Sequence, residues 1–330
     1  ESTGASATTI HRLLGWLPDE GAFEHGPDAP IPGTDVLVVD EASMLSAPLA
    51  DALLGAVGPR THVLLVGDVD QLAPVGPGRV LEDLIDSGVV PTVRLTEVFR
   101  QAARSLIVRA AHAIDAGETP PTVPDPDDPE AIRDFFVIAR GEAQAMFDEV
   151  VGLAAERLPR HYGIEAPRDV LVLAPMHKGP LGVDALNTAL RARLNDDGTP
   201  IPGTPFRVGD RVIQTRNDHE RDLMNGELGV LVHHDRERDR VSFAGDDGRR
   251  IGLGTDELGT LRLAYAISVH KAQGSQAPAV IVPVFRGHHV MLTRNLLYTA
   301  VTRAERVCVL VAQPGALQTA LRAKETRARC

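Results

Sequence analysis

Short apolar runs that end on polar residues recur along this chain, and their lengths separate strands from helices. Val36-Leu-Val-Val39 is continuous, largely β-branched and preceded by turn residues, which predicts a parallel strand buried on both faces. Val63-Leu-Leu-Val66, Val170-Leu-Val-Leu-Ala174, Val280-Ile-Val-Pro-Val284 and Val307-Cys-Val-Leu-Val311 read the same way. Helical periodicity predicts an amphipathic helix around Ala143 to Leu158 and another from about Gly182 to Leu194. Strands alternating with helices, without a fixed repeat, predict an α/β fold built on parallel sheets.

Two stretches break that texture. Thr119 to Glu130 (TPPTVPDPDDPE) is too rich in proline for a continuous helix or a central strand and reads as a surface linker. From Phe206 to about Arg262, RVGDRVIQTRN, ELGVLVHHD and DRVSFAGDDGRRIGL alternate over short strands with tight turns, which predicts a small β-barrel inserted into the second α/β unit. The expected organisation is a first unit over 1–98, a second over 99–205 and 263–330, and the insert over 206–262.

The first strand ends on Asp40 and Glu41, and the second runs into Gly67-Asp68-Val69-Asp70-Gln71. Carboxyl ends of parallel strands are where open α/β sheets place ligand chemistry. In a nucleoside triphosphatase Asp40 would hold Mg²⁺, usually through a water, and Glu41 would orient or deprotonate the attacking water. Gln71 would sense the γ-phosphate from the neighbouring strand. The bland alternative is that Asp40 caps the following helix and Glu41 sits in its first turn. A second polar strand end in GDVDQ favours function.

Composition narrows the class without deciding it. At 43% hydrophobic and 24% charged over 330 residues the chain reads as soluble and globular, with two or three domains. No apolar run is long enough to span a bilayer and Glu1-Ser-Thr-Gly-Ala-Ser does not read as a signal peptide, so the expected location is cytoplasmic. Cys308 and Cys330 form neither a disulfide framework nor a metal spacing. A net charge of -11 argues against a basic nucleic-acid wrapper and leaves strand binding to local patches. Lysine occurs only at 178, 271 and 324, which GC-rich coding explains as simply as a need for bidentate arginine contacts.

The ordered set TIHRLL (Thr9 to Leu14), VDEASM (Val39 to Met44), GDVDQLAPVGPG (Gly67 to Gly78), LTEVFRQ (Leu95 to Gln101), MNGELG (Met224 to Gly229), YAISVHKAQGSQ (Tyr265 to Gln276) and LLYTAVTRA (Leu296 to Ala304) resembles the RecD family of superfamily 1B DNA helicases. The resemblance covers nearly the whole chain in order. It implies two RecA-like domains, the first incomplete, with ATP and Mg²⁺ between them, moving 5′ to 3′ on single-stranded DNA. It further implies that Arg100 and Arg303 reach the γ-phosphate, where positioning and charge stabilisation dominate catalysis. Gly274 falls in the nucleotide-binding set. Thr9, His11, Asn225, Ser268 and His270 fall where the family grips the strand, and such groups suit phosphates and bases without demanding sequence.

The segment from Gly15 to about Gly33, with the chain's only tryptophan at 16, resembles the family's pin, a β-hairpin that splits a strand junction; otherwise Trp16 anchors an ordinary loop. The insert matches an SH3-like accessory domain. Expected partners are single-stranded DNA, single-strand/duplex junctions and recombination-complex subunits, with no membrane.

Two departures stand out. Gln276 lies where related helicases commonly carry Glu, although Gln still hydrogen-bonds. No G-x-x-x-x-G-K-[ST] occurs and no glycine precedes a lysine, so the loop that would cradle the β and γ phosphates is not in these residues. The expectation is a fragment whose phosphate loop lies upstream, inactive alone. The alternatives are the helicase part of a conjugative relaxase, a non-catalytic single-stranded DNA-binding scaffold and an RNA helicase.

Overall fold

The computed structural model describes residues 7–17, 20–95, 104–128, 130–218 and 220–323. The chain divides into two compact units that meet in sequence at residues 96 and 97.

In the first unit, β1 (Trp16–Leu17) and β2 (Ala22–Phe23) form an antiparallel hairpin. β3 (Val36–Val39) and β4 (His62–Leu65) pair in parallel, Val36 opposite His62 and Val39 opposite Leu65. The parallel pairing is as expected, but the burial is not. Leu37 and Val39 point into a core with Leu14, Leu53 and Leu81, while Val36 and Val38 are 60% and 57% exposed. Val63 and Leu64 of β4 are exposed as well. The helices Ala47–Gly55 and Val80–Ser87 supply core residues to one face of this strand pair. Among the described residues the other face has no cover, so an all-apolar strand behaves as a half-buried one.

The second unit is built on a five-stranded parallel sheet of order β12-β6-β13-β14-β5, from β5 (Phe135–Ala139), β6 (Val170–Ala174), β12 (Ala266–Ser268), β13 (Ala277–Val284) and β14 (Ala304–Ala312). Every residue of β6 is buried, as its uninterrupted apolar run predicts. Val172, Ile281 and Val309 join one core with Met146 and Val150 of the helix Ala143–Gly152 and Leu186 and Leu190 of the helix Val183–Leu194. Helices Leu106–Ala116 and Arg294–Val301 also pack on this sheet. The helix expected to end at Leu158 instead continues through a π-helical stretch, Leu153–Arg157, to Tyr162. Pro159, which has no N–H to return to the preceding turn, comes one residue after that widened stretch, behind Leu158.

The insert is an antiparallel sheet of order β10-β9-β8-β7-β11: β7 (Arg211–Gln214), β8 (Leu228–Asp235), β9 (Arg240–Gly245), β10 (Arg250–Gly254) and β11 (Leu261–Leu263). Its end strands do not pair with each other, so the expected barrel is seen as an open five-stranded order. The insert has its own core, with Phe206, Leu231, Val241 and Phe243, and that core begins at Ile201. β7 is buried throughout; its Arg211 is kept there by a two-pronged contact of 2.5 Å to each Asp246 oxygen.

Candidate functional site

Asp40 directly follows β3. Its carboxylate is exposed, and Oδ1 accepts the Glu41 N–H at 2.8 Å. Glu41 adopts a left-handed conformation, φ 51° and ψ 38°, which costs a non-glycine residue about 1–2 kcal/mol. Backbone strain of this sort concentrates at functional sites. The helix-cap reading of the acid pair does not hold. The next α-helix begins at Ala47 with Ser46 in the cap position, and Glu41 makes no side-chain cap bond to the short turn Ala42–Met44.

The two strand ends are zipped together. Val66 N–H donates to Val39 C=O and Ala42 N–H to Val66 C=O, both at 2.8 Å. Gly67 comes next, where a Cβ would lie 2.8 Å from the Ser43 nitrogen and 3.0 Å from that of Ala42. Only glycine lets the second strand end pass so close to the acid turn. Gln71, 8% exposed, and Ser43 then line one small pocket. The fold therefore brings Asp40, Glu41 and Gln71 to one edge.

Thr9 caps the short helix Ile10–Leu13, its Oγ1 accepting Arg12 N–H at 3.3 Å. His11 lies 6.1 Å from the Trp16 ring and 5.7 Å from that of Phe23, and Trp16 meets Phe23 edge-on at 4.9 Å. The hairpin thus carries a half-buried aromatic cluster. Phe23 completes it and went unremarked in the sequence, although its distance from Trp16 suits a cross-strand pair.

In the second unit, Ser268 ends β12 and is buried, its Oγ accepting Lys271 N–H at 3.3 Å; His270 is half-buried in the same turn. Gly274 has φ +75° with open space around it, so conformation and not crowding calls for glycine there. Arg303 is 4% exposed. Its Nε donates to Thr299 C=O at 3.2 Å, one terminal nitrogen to Ser275 C=O at 3.4 Å and the other to Thr302 Oγ1 at 3.3 Å, which joins it to the Gly274–Gln276 loop. Gln276 itself is exposed. Asn225 lies apart in an exposed turn of the insert, its N–H on Asn217 Oδ1 at 2.9 Å. Arg100, like Lys324 and Cys330, falls outside the described residues.

Three family models match the chain: an AAA domain over 1–134, an ATP-dependent RecD-like DNA helicase SH3 domain over 186–243 and a UvrD-like helicase C-terminal domain over 263–311. An ATP-dependent RecD2 DNA helicase of Deinococcus radiodurans is 41% identical over 310 residues, which are 92% of this chain. The chain belongs to the RecD-like helicases. A RecBCD enzyme subunit RecD of Mycolicibacterium smegmatis is 33% identical over 99% of this RecD-like chain. The chain spans 39% of the Deinococcus protein's length and 58% of the Mycolicibacterium one. Its fold is similar to that of a Pif1 helicase from Bacteroides, solved with ADP-AlF3 and single-stranded DNA, with a TM-score of 0.55 at 18% identity, covering 98% of this chain and 82% of that one.

Proposed function

We propose that the whole protein to which these residues belong is an ATP-dependent DNA helicase that moves 5′ to 3′ on single-stranded DNA in repair or recombination. The observation that carries this reading is the strained Asp40–Glu41 turn held against Gly67 and beside the Gln71 pocket, at the carboxyl ends of two parallel strands.

The residues fit a nucleotide-bound Mg²⁺ better than a metal cage. Among the described residues no group of three or more His, Cys, Asp or Glu could hold a metal. One exposed carboxylate, Asp40, with phosphates and waters completing the shell, is how Mg²⁺ is usually held. Bound there, Mg²⁺ would neutralise the phosphates during transfer. Glu41 orients and deprotonates the attacking water, and Gln71 registers the γ-phosphate. Arg100 and Arg303 supply positive charge toward that phosphate, and Gly274 lets its loop approach the nucleotide. Thr9, His11, Asn225, Ser268 and His270 hold the strand, and the Trp16 hairpin acts at the junction. The 330 residues contain no phosphate-loop motif, so hydrolysis and unwinding belong to the whole protein and the chain alone has neither.

Partners are single-stranded DNA, its junctions with duplex and the subunits of a recombination complex, in the cytoplasm. No helix among the described residues is long and apolar enough to cross a membrane. Unwinding by the whole protein of duplexes bearing a 5′ or a 3′ single-stranded tail tests the reading. Opening of 5′-tailed substrates alone is expected; equal opening of both, or of 3′-tailed substrates alone, rejects the polarity.

A further inference from the structure

The helix Arg294–Val301 ends on Thr302 and Arg303, and the Arg303 guanidinium folds back onto that end. Its Nε donates to Thr299 C=O at 3.2 Å, and its terminal nitrogens donate to Ser275 C=O at 3.4 Å and Thr302 Oγ1 at 3.3 Å. All three lie at or beyond the long end of the N–H···O range. The Thr302 hydroxyl donates its one hydrogen to Thr299 C=O at 3.1 Å, which leaves its lone pairs for the guanidinium. The Arg303 carbonyl accepts the Ala277 N–H at 3.0 Å, so main chain and side chain both grip the segment from Ser275 to Ala277. Arg303 is only 4% exposed, and in this arrangement it has no face to offer a phosphate. A guanidinium–phosphate contact is shorter than these bonds and roughly twice as strong as one to a neutral acceptor. Exchanging long bonds to neutral oxygens for that contact is therefore favourable once a phosphate is present.

We propose that Thr302 is a positioning residue that keeps Arg303 stowed: its hydroxyl, aimed by Thr299, holds the guanidinium on the Ser275 carbonyl until a nucleotide phosphate draws the charge out. This rests on the reading above that Arg303 serves the γ-phosphate. An arginine that is stowed most of the time weakens the apparent affinity for ATP in proportion to the fraction of time it is out. Thr302 thereby restrains turnover in the absence of DNA. The competing account is a plain helix cap, since basic side chains near a helix C-terminus bond its last carbonyls.

Two measurements separate the latch from the cap. Each compares the unaltered protein with Thr302→Val, which keeps the branched shape without the hydroxyl, and Thr302→Ser, which keeps the hydroxyl. The first is the rate at which phenylglyoxal labels Arg303 in the 330-residue chain, read by peptide mass spectrometry, with Arg211, 3% exposed in the insert, as a buried control. Labelling of Arg303 alone is expected to rise about fivefold in Thr302→Val, the worth of one hydrogen bond, and to stay at the unaltered rate in Thr302→Ser. An unchanged rate at Arg303, or equal acceleration at Arg211, overturns the proposal and leaves the cap. The second is ATP hydrolysis by the whole protein without DNA. In Thr302→Val kcat/KM is expected to rise about fivefold through a lower KM, and Thr302→Ser is expected to reverse the change. A fall in kcat/KM, as a lost cap would give, overturns the proposal. Faster labelling with unchanged turnover counts instead against Arg303 as the γ-phosphate residue. A whole protein that hydrolyses no ATP counts against the proposed function, and labelling alone then decides whether Thr302 holds the arginine.

Discussion

The Tyr265 hydroxyl donates to the Asp210 carboxylate at 3.1 Å, joining a residue just beyond the end of the insert to one near its start. Asp210 is fully buried. It also accepts from Asn195 Nδ2 and the Arg207 N–H, each at 2.8 Å, and pairs with Arg191 at 3.1 Å. Burial, and then the Asp210 charge, push the Tyr265 phenol well above the ordinary tyrosine range, so it remains a donor at any pH the protein meets. This carboxylate is one fastening between insert and core, beside the Arg207 contact with the Asn195 carbonyl oxygen and the Arg168 contact with that of Asp246. Tyr265→Phe is expected to lower the unfolding free energy by about 1–2 kcal/mol. Asp210→Ala, which strands the Arg191 charge and several donors, should cost about 3–5 kcal/mol. Urea denaturation of the 330-residue chain measures both; near-wild-type stability of Asp210→Ala would refute the assignment.

Glu41 sets stability against function. Replacing it by glycine relieves the left-handed strain at φ 51° but frees the unfolded chain, for a net gain of about 0.5 kcal/mol. The same change removes the carboxylate proposed to act on water. Glu41→Gly is therefore expected to melt slightly higher than wild type while the whole protein loses turnover. A lower melting temperature would mean that the Glu41 side chain holds the turn together.

His288 gives the stability a pH dependence. Its ring is buried beside Phe285, at 5.4 Å between centroids, and burial lowers its pKa below the ordinary histidine value. The unfolded chain takes up a proton near pH 6.5 that the folded chain resists, so stability falls as pH drops below about 6.5. His288→Leu should remove that part of the slope. Chemical denaturation at pH 7.5 and 5.5 measures it, and identical slopes in the two proteins would contradict the prediction.

Trp16 and Phe23 face each other across a two-residue strand pair, too short to be stable on pairing alone. In the whole protein Trp16→Ala is expected to leave strand-stimulated ATP hydrolysis near wild type and to reduce duplex unwinding roughly tenfold, as loss of a ring that stacks on a base would. Equal losses in both assays would make Trp16 a structural anchor.

Legibility in the sequence followed from where each signal is stored. The run Val170–Ala174 contains its own answer, because a strand covered on both faces needs apolar residues throughout, and it is β6 with the same boundaries. Val36–Val39 has the same composition yet exposes two of its four residues, since cover depends on what packs above it and not on the strand. The acid pair and GDVDQ stand out in the sequence because each lies at the end of such a run, and the structure holds those two ends together through the Val66 and Ala42 hydrogen bonds. Asp210 was not, because an acid in an alternating RVGDRV stretch reads as a solvent-facing residue until Tyr265, 55 residues on, is brought to it.

The most direct test of the central claim is ATP hydrolysis by the whole protein, with and without single-stranded DNA, beside its Glu41→Gln variant. The DNA motor account predicts turnover that rises with DNA and falls about 10²–10⁴-fold in the variant, the usual worth of a positioned general base. Turnover indifferent to DNA, or unchanged when Glu41 becomes glutamine, would contradict it.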